Sequence, residues 1–348
     1  MPPLVSVIMP AYNAERFVAE AIESVRAQTL PAWELVVADD GSTDRTREVV
    51  ASFDDPRVRL LSLPHQGSPS RARNAALAVA TAPLVAFLDA DDRFFPDALE
   101  VLSERLLSTP SLQASFGFQH LMDERGTALR PSPFLVPNPD GTYRLAPSFQ
   151  LSWPAVYLFH LSLAVSSLMV RRETLHRLGG FDERVLSNED VKLYIQIFQL
   201  GFDRVAVLPR CVYWYRRSPD TLTKNKARVL EVLDAENEVV EWLYAQPTTT
   251  PELARLKPAA HALKYITYAR TRYRAGDAQM ARALLRRARA KGHVTKRTWW
   301  RHMGGLWLRT WLPVSLDAAL ANLYRPLRRD MYRSRAVDRS SPPRGGVG

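Results

Sequence analysis

The stretch Glu34-Leu-Val-Val-Ala-Asp-Asp-Gly-Ser-Thr-Asp44 runs an apolar segment straight into an acidic turn that contains a glycine. A short apolar run bounded by turn formers is the pattern of a strand buried on both faces. The same unit recurs on either side. Upstream, Val5 to Met9 reads as a buried strand and Ala14 to Gln28 as an amphipathic helix, with Phe17, Ala21, Ile22 and Val25 on one face. Downstream come a helix to Phe53 and a strand from Val58 to Leu63. A further helix to about Ala80 begins with Ser68 as N-cap and Pro69 at its first position. Leu84 to Leu88 is a fourth strand, and Pro96 opens the next helix. Alternating strands and helices predict an α/β fold, a mostly parallel sheet flanked by helices. Such sheets take their ligands at the carboxyl ends of the strands.

Beyond this region the pattern changes. Gln113 to Phe149 is rich in prolines and turn formers and reads as loop. Leu145 to Val170 carries no Asp, Glu, Lys or Arg and is long enough to span a bilayer. Pro147, Pro154, Gln150 and His160 interrupt it, so a buried loop followed by a central strand is the expectation. Order resumes near Ser166, passes the Gly179–Gly180 turn and includes a helix from about Asp190 to Gln199. After Thr223 the chain reads as wholly helical: Ala227 to Tyr244, Leu253 to Ala275 and Ala278 to Lys291, the last two broken at Ala275-Gly-Asp277. The expected division is residues 1–224 as the catalytic domain, 225–333 as a smaller, basic, all-helical region and 334–348 as a disordered tail.

The 348 residues carry a net charge of +11, unevenly placed. From Arg255 onward there are 22 Lys and Arg against 4 Asp and Glu, while residues 1–254 are net acidic. This basic back part implies an anionic partner surface. A single cysteine, Cys211, excludes an internal disulfide, and no secretory signal is legible at the N-terminus. A cytoplasmic location, peripheral at the inner face of a membrane, is the expectation.

Three carboxylate groups fall where the architecture puts ligands. In Asp39-Asp-Gly-Ser-Thr-Asp44, Asp44 reads as a helix cap, but a second Asp at the strand tip exceeds what capping needs, which singles out Asp40. In Asp89-Ala-Asp-Asp92, three carboxylates in four residues repel one another unless a cation gathers them. A hard divalent ion would do so and bridge a carboxylate to a diphosphate; a solvated acidic turn is the other reading. Asn188-Glu-Asp190 opens a helix, where acidic residues suit the dipole and a carboxylate could equally act as a general base.

Five strings in order carry a resemblance: Val5-Ser-Val-Ile-Met-Pro-Ala-Tyr-Asn13, the 34–44 stretch, Gly67 to Asn74 with Ala72-Arg-Asn74, Phe87-Leu-Asp-Ala-Asp-Asp92, and Gly179-Gly-Phe-Asp-Glu183 with Glu189-Asp190. Together they resemble family 2 glycosyltransferases over about Val5 to Thr223. The resemblance implies a GT-A fold and inverting transfer of one sugar from a nucleoside-diphosphate donor, with UDP as the expected nucleotide. The acceptor would be a saccharide or lipid-linked hydroxyl in cell-surface polysaccharide or glycolipid assembly. It further implies that Pro10, Ala11 and Tyr12 line the base pocket and Asp40 holds base or ribose. Arg73 would sit on the diphosphate side. Asp91, supported by Asp89, would hold Mg²⁺ or Mn²⁺, and Asp190 would take the acceptor proton. Two departures stand out. Tyr215-Arg-Arg217 is not followed by the histidine many relatives carry near the metal, and the Gln-x-x-Arg-Trp string of processive synthases is absent.

Other functions fit less well. Pro10-Ala-Tyr-Asn-Ala-Glu15 has no glycine, against both a sugar-1-phosphate nucleotidyltransferase and a dinucleotide-dependent dehydrogenase. A non-catalytic binding protein of the same fold would be marked by a broken acidic set, and Asp40, Asp89, Asp91 and Asp190 are all present. Trp299, Trp300, Trp307 and Trp311 lie among Arg301, Arg309, Arg325, Arg328 and Arg329. These residues could form an interfacial helix on anionic membrane or could pack internally. No reader motif accompanies the charge, so nucleic acid is not an expected partner.

Overall fold

The computed structural model describes residues 1–149, 151–157, 163–185, 187–217 and 229–290. The tryptophan-rich segment at 299–311 and the expected tail at 334–348 lie outside the described residues, as do Ser218-Pro-Asp220. In chain order the strands are β1 (Val5–Ala11), β2 (Trp33–Asp39), β3 (Val58–Ser62), β4 (Leu84–Phe87), β5 (Arg93–Phe94), β6 (Ala114–Met122), β7 (Ala128–Pro131), β8 (Leu135–Pro137), β9 (Tyr143–Leu145), β10 (Leu168–Arg171) and β11 (Val205–Arg216). The helices are α1 (Val18–Arg26), α2 (Thr46–Ala51), α3 (Pro69–Val79), α4 (Ala98–Ser108), α5 (Trp153–Tyr157), α6 (Arg172–Leu178), α7 (Glu189–Phe198), α8 (Val229–Tyr244), α9 (Pro251–Ala254), α10 (Lys257–Arg274) and α11 (Ala278–Ala290).

β1 and β2 are mostly apolar because both faces are covered. Val7 and Met9 enter one apolar cluster with α1 residues Val18, Ala21, Ile22 and Val25. Ile8 and Val36 enter the opposite cluster with Ala72, Ala76 and Leu77 of α3. The strand order is β3-β2-β1-β4-β10-β6-β11-β5, with β7 added beside β6. β3, β2, β1 and β4 are parallel to their neighbours, β10 reverses between β4 and β6, and β11 runs parallel to β6.

One feature departs from the sequence expectation. The segment from Gln113, expected as loop, contains β6, whose Phe116 and Phe118 are fully buried at the centre of one cluster. Gly117 belongs inside that strand because a Cβ there would lie 2.6 Å from a Val212 methyl on β11. The candidate span from Leu145 instead carries the short α5 and the central strand β10, as the buried-loop reading expected. Among the described residues no helix is long and apolar enough to cross a membrane.

The chain divides into two compact units, Met1–Lys257 and Pro258–Gly348. The first includes α8, whose Val239 and Leu243 belong to the sheet's apolar cluster. In the second, α10 buries Tyr265, Ile266 and Ala269, and α11 buries Leu284, Leu285 and Ala288. The break between these helices is Gly276 at φ +81°, after which the Asp277 carboxylate accepts the Met280 N–H.

Candidate active site

The ends of β1 and β2 build the first part of the site. Ala11 stands opposite Asp39 in the parallel register, and the Asp40 N–H donates to the Ala11 carbonyl at 2.8 Å. This sets Pro10, Ala11 and Tyr12 beside Asp40. The chain then turns at Gly41, φ +70°, where a Cβ would fall 2.6 Å from the His65 nitrogen. Only glycine permits that approach, and it brings the loop after β3 onto Asp40. The Asp40 carboxylate accepts the Gln66 and Gly67 N–H groups at 2.9 and 2.8 Å, and His65 Nδ1 donates to the Asp40 carbonyl at 2.8 Å. The His65 ring stacks on Tyr12 with centroids 4.3 Å apart. Tyr12 is 47% exposed, so an open aromatic face lies next to a nearly buried carboxylate. Asp44 accepts the Thr46 and Glu15 N–H groups, the capping role expected of it.

α3 leads from this pocket to the second part. Pro69 occupies its first turn as expected, but Ser68 makes no cap: its hydroxyl is buried and has no partner. From Pro69 to Arg73 the helix rises by about 6 Å. There Arg73, 4% exposed, gives one terminal nitrogen to Asp89 and the other to Glu189, each at 2.7 Å. Arg73, expected on the diphosphate side, is thus a buried bridge between the acidic loop after β4 and the start of α7. Its Nε has no partner. The two carboxylates hold its pKa well above the usual guanidinium value despite burial.

The three carboxylates of Asp89-Ala-Asp-Asp92 are not equivalent. Asp92 is buried; it accepts the Arg216 N–H at 2.9 Å and the Ser166 hydroxyl at 3.2 Å, and burial with two like charges beside it pushes its pKa well up. Asp89 is taken by Arg73. Asp91 remains half-buried, its pKa pushed up to about 6 by burial first and then by the Asp89 charge, with Arg216 opposing. Arg216 is fully buried and acts as the strut of this loop. Its Nε donates to the Asp91 carbonyl, Nη1 to the Glu124 carbonyl and Nη2 to Glu20, each at 2.8 Å, and its guanidinium lies 4.5 Å from the Phe17 ring centre. Arg216 therefore fixes this loop from the side where a histidine was missing from the sequence.

Asp190 sits in the first turn of α7, preceded by Asn188 at φ +63°. Its Oδ1 accepts the Val191 N–H at 2.7 Å. Its pKa rises to about 7, through burial first and then the Glu189 charge, with Arg73 opposing and Asp89 adding to the rise. A carboxyl poised near neutrality suits a general base. Asp89, held by Arg73, therefore interacts with both Asp91 and Asp190, one short helical stretch from the loop that closes on Asp40. Sequence reading missed His65, Glu189 as an Arg73 partner, Ser166 and the strut role of Arg216. Only the arginine of the Tyr-Arg pair was a visible signal.

Among the described residues no cluster of three or more His, Cys, Asp or Glu is arranged to hold a metal. The donor set would still suit one ion: among the described residues the Asp91 carboxylate has no cationic side chain bonded to it, Arg216 reaching only its carbonyl. Hard divalent cations are commonly held by one or two carboxylates together with phosphate oxygens. A cavity of about 790 Å³ opens elsewhere, at the β11–β5 edge, lined by residues such as Phe95, His120 and Trp214.

A mixed α/β sheet with paired acidic loops at its strand ends defines a GT-A-type transferase. The family model for glycosyl transferase family 2 matches residues 6–163. A teichuronic acid biosynthesis glycosyltransferase of Bacillus subtilis, TuaG, is 30% identical over 64% of this chain and 83% of its own. The glucosyltransferase WfgD of Escherichia coli, which by name moves glucose from UDP-Glc to GlcNAc-diphosphoundecaprenol, is 44% identical over 30% of this chain and 41% of its own. Residues 1–349 of S. aureus TarS, solved with UDP-GlcNAc, superpose with a TM-score of 0.57 at 19% identity, over 86% of this chain and 83% of that one, which is a likeness of fold. The chain belongs to glycosyl transferase family 2 and is a glycosyltransferase.

Proposed function

We propose that the protein transfers one sugar from a UDP-sugar to an acceptor hydroxyl with inversion at the anomeric carbon. The observation that carries this is the Arg73 bridge from Asp89 to Glu189, which leaves Asp190 near neutrality within reach of the Asp89 charge. In this reading Tyr12, backed by His65, stacks on the base, with Pro10 and Ala11 as its wall. Asp40 accepts a hydrogen bond from the base or ribose. Asp91, with Asp89 near it, holds Mg²⁺ or Mn²⁺, which would offset charge developing on the leaving diphosphate. Asp190 takes the proton of the acceptor hydroxyl as that oxygen attacks the anomeric carbon. The bond from carbon to diphosphate oxygen breaks on the opposite side, and UDP leaves. Glu189 is committed to Arg73, so one carboxylate is available at that helix start, which supports a single displacement over a two-carboxylate, retaining route. Arg73 acts by positioning the carboxylates.

The names of TuaG and WfgD support an acceptor that is a saccharide or lipid-linked sugar of cell-surface polysaccharide. Residues 1–224 would form the catalytic domain. Residues 225–333, with their excess of Lys and Arg, would hold the enzyme peripherally at an anionic, cytoplasmic membrane face. The test is a thermal-shift panel of nucleoside diphosphates and their sugars with and without Mn²⁺. Manganese-dependent stabilisation by UDP above the other bases is expected. Equal response to every base, or none, would overturn the donor assignment.

A further inference from the structure

The cavity at the β11–β5 edge has no part in the chemistry above, and its construction is specific. β5 pairs with β11 only at Tyr213 and Trp214. Further upstream the register between β6 and β11 slips between Val207 and Cys211. The sheet edge therefore opens beside Leu208–Arg210. The outward side of α4 and the turn joining β8 to β9 close the space into a cavity of about 790 Å³. Its floor is aromatic. Phe95 and Trp214 stack at 4.7 Å and 12° between planes, and His120 lies 4.5 Å from the Trp214 ring centre. Its rim is charged but balanced: Asp97 pairs with Arg210, and Glu104 and Arg105 stand on α4.

These properties select a ligand. A flat, electron-rich ring face attracts the slightly positive C–H face of a pyranose, and side chains with charged ends give directional hydrogen bonds to its hydroxyls. Two carboxylates against two guanidinium groups give no net attraction for a nucleoside diphosphate or a phosphate headgroup. A cavity of this volume accommodates a ligand of several rings. Its position also matters. Trp214 lies two residues before Arg216, the strut of the acidic loop, about 7 Å along the strand, and Phe95 lies three residues after Asp92.

We propose that this cavity is a saccharide-binding subsite that grips the acceptor chain beside the transfer centre; that the saccharide is the acceptor rests on the transferase reading. The aromatic floor supplies stacking and the rim supplies hydroxyl contacts.

Isothermal titration of the full chain with cellotetraose and with chitotetraose, both neutral and β-linked, tests the site in parallel with UDP and Mn²⁺ titrations. At least one tetrasaccharide is expected to bind. Trp214→Ala should weaken it at least tenfold, Trp214→Phe should largely preserve it, and Glu104→Ala on the exposed side of α4 should weaken it several-fold. UDP affinity should stay within twofold of the parent in all three. A folded, UDP-binding protein that binds neither tetrasaccharide would overturn the subsite, as would Glu104→Ala and Trp214→Ala proteins that bind them like the parent. Loss of UDP binding in the parent would instead count against the transferase donor site. The two failures are thus separable.

Discussion

Replacing Asp190 by asparagine tests the general base through stability as well as rate. The Asp190 carboxyl has its pKa raised from 3.8 to about 7 in the folded chain. A raised carboxyl favours the folded state fully below its unfolded pKa, and that support is lost as pH climbs through the folded value. Between pH 5 and pH 8 a single group with these two pKa values costs the folded protein about 2–3 kcal/mol, at about 1.4 kcal/mol per pH unit until the group ionises. An amide at this position does not titrate, so this cost would vanish in the variant. Urea unfolding of metal-free protein in EDTA should therefore show Asp190→Asn gaining about 2–3 kcal/mol on the parent between pH 5 and pH 8. The midpoint should move without a change in slope. Transfer should fall by about 10²–10⁴-fold at neutral pH, with UDP affinity retained. A stability difference that stays flat or reverses across that window would refute the burial of an ionisable Asp190. Unchanged turnover would remove it as base.

Other perturbations have equally definite outcomes. Arg216→Met removes the only guanidinium bonded to the Asp91 carbonyl among the described residues and leaves Asp91 without its opposing charge. Breaking such buried pairing costs about 3–5 kcal/mol, readable as a lowered urea midpoint and weaker Mn²⁺-dependent UDP binding. His65→Ala deletes the ring behind Tyr12; calorimetry should show UDP affinity falling several-fold, in line with about 1 kcal/mol for a stacked aromatic pair, while Mn²⁺ dependence persists. The basic region from Arg255 onward predicts sedimentation of the full chain with anionic vesicles, lost as salt rises and absent with neutral vesicles. Salt-insensitive failure to sediment would exclude a membrane role for that segment.

Strand identity in the first ninety residues was legible because β1, β2 and β4 are buried on both faces and so are mostly apolar. Strand direction was not. Nothing in Leu168–Arg171 tells that β10 enters antiparallel between β4 and β6, because hydropathy does not encode polarity. β6 was hidden by the prolines that follow it and by Gly117, which reads as a breaker locally. In the fold that glycine permits contact with Val212, almost a hundred residues away. The same nonlocality separates what could be read of the site. Asp40, Asp91 and Asp190 announce themselves as carboxylates at strand ends and a helix start. Their mutual arrangement depends on Arg73 reaching Glu189, 116 positions later, and on Arg216 reaching back to the Asp91 carbonyl. A string of residues shows that an arginine is present, not which carboxylates it will join.

Anomalous diffraction from a crystal grown with UDP and Mn²⁺ tests the donor site most directly. The expected result is a manganese peak within about 2–2.6 Å of the Asp91 carboxylate, the range for hard divalent ions on oxygen, with the uracil against Tyr12 and in hydrogen-bond reach of Asp40. A peak remote from Asp91, or a uracil seated away from Tyr12 and Asp40, would contradict it.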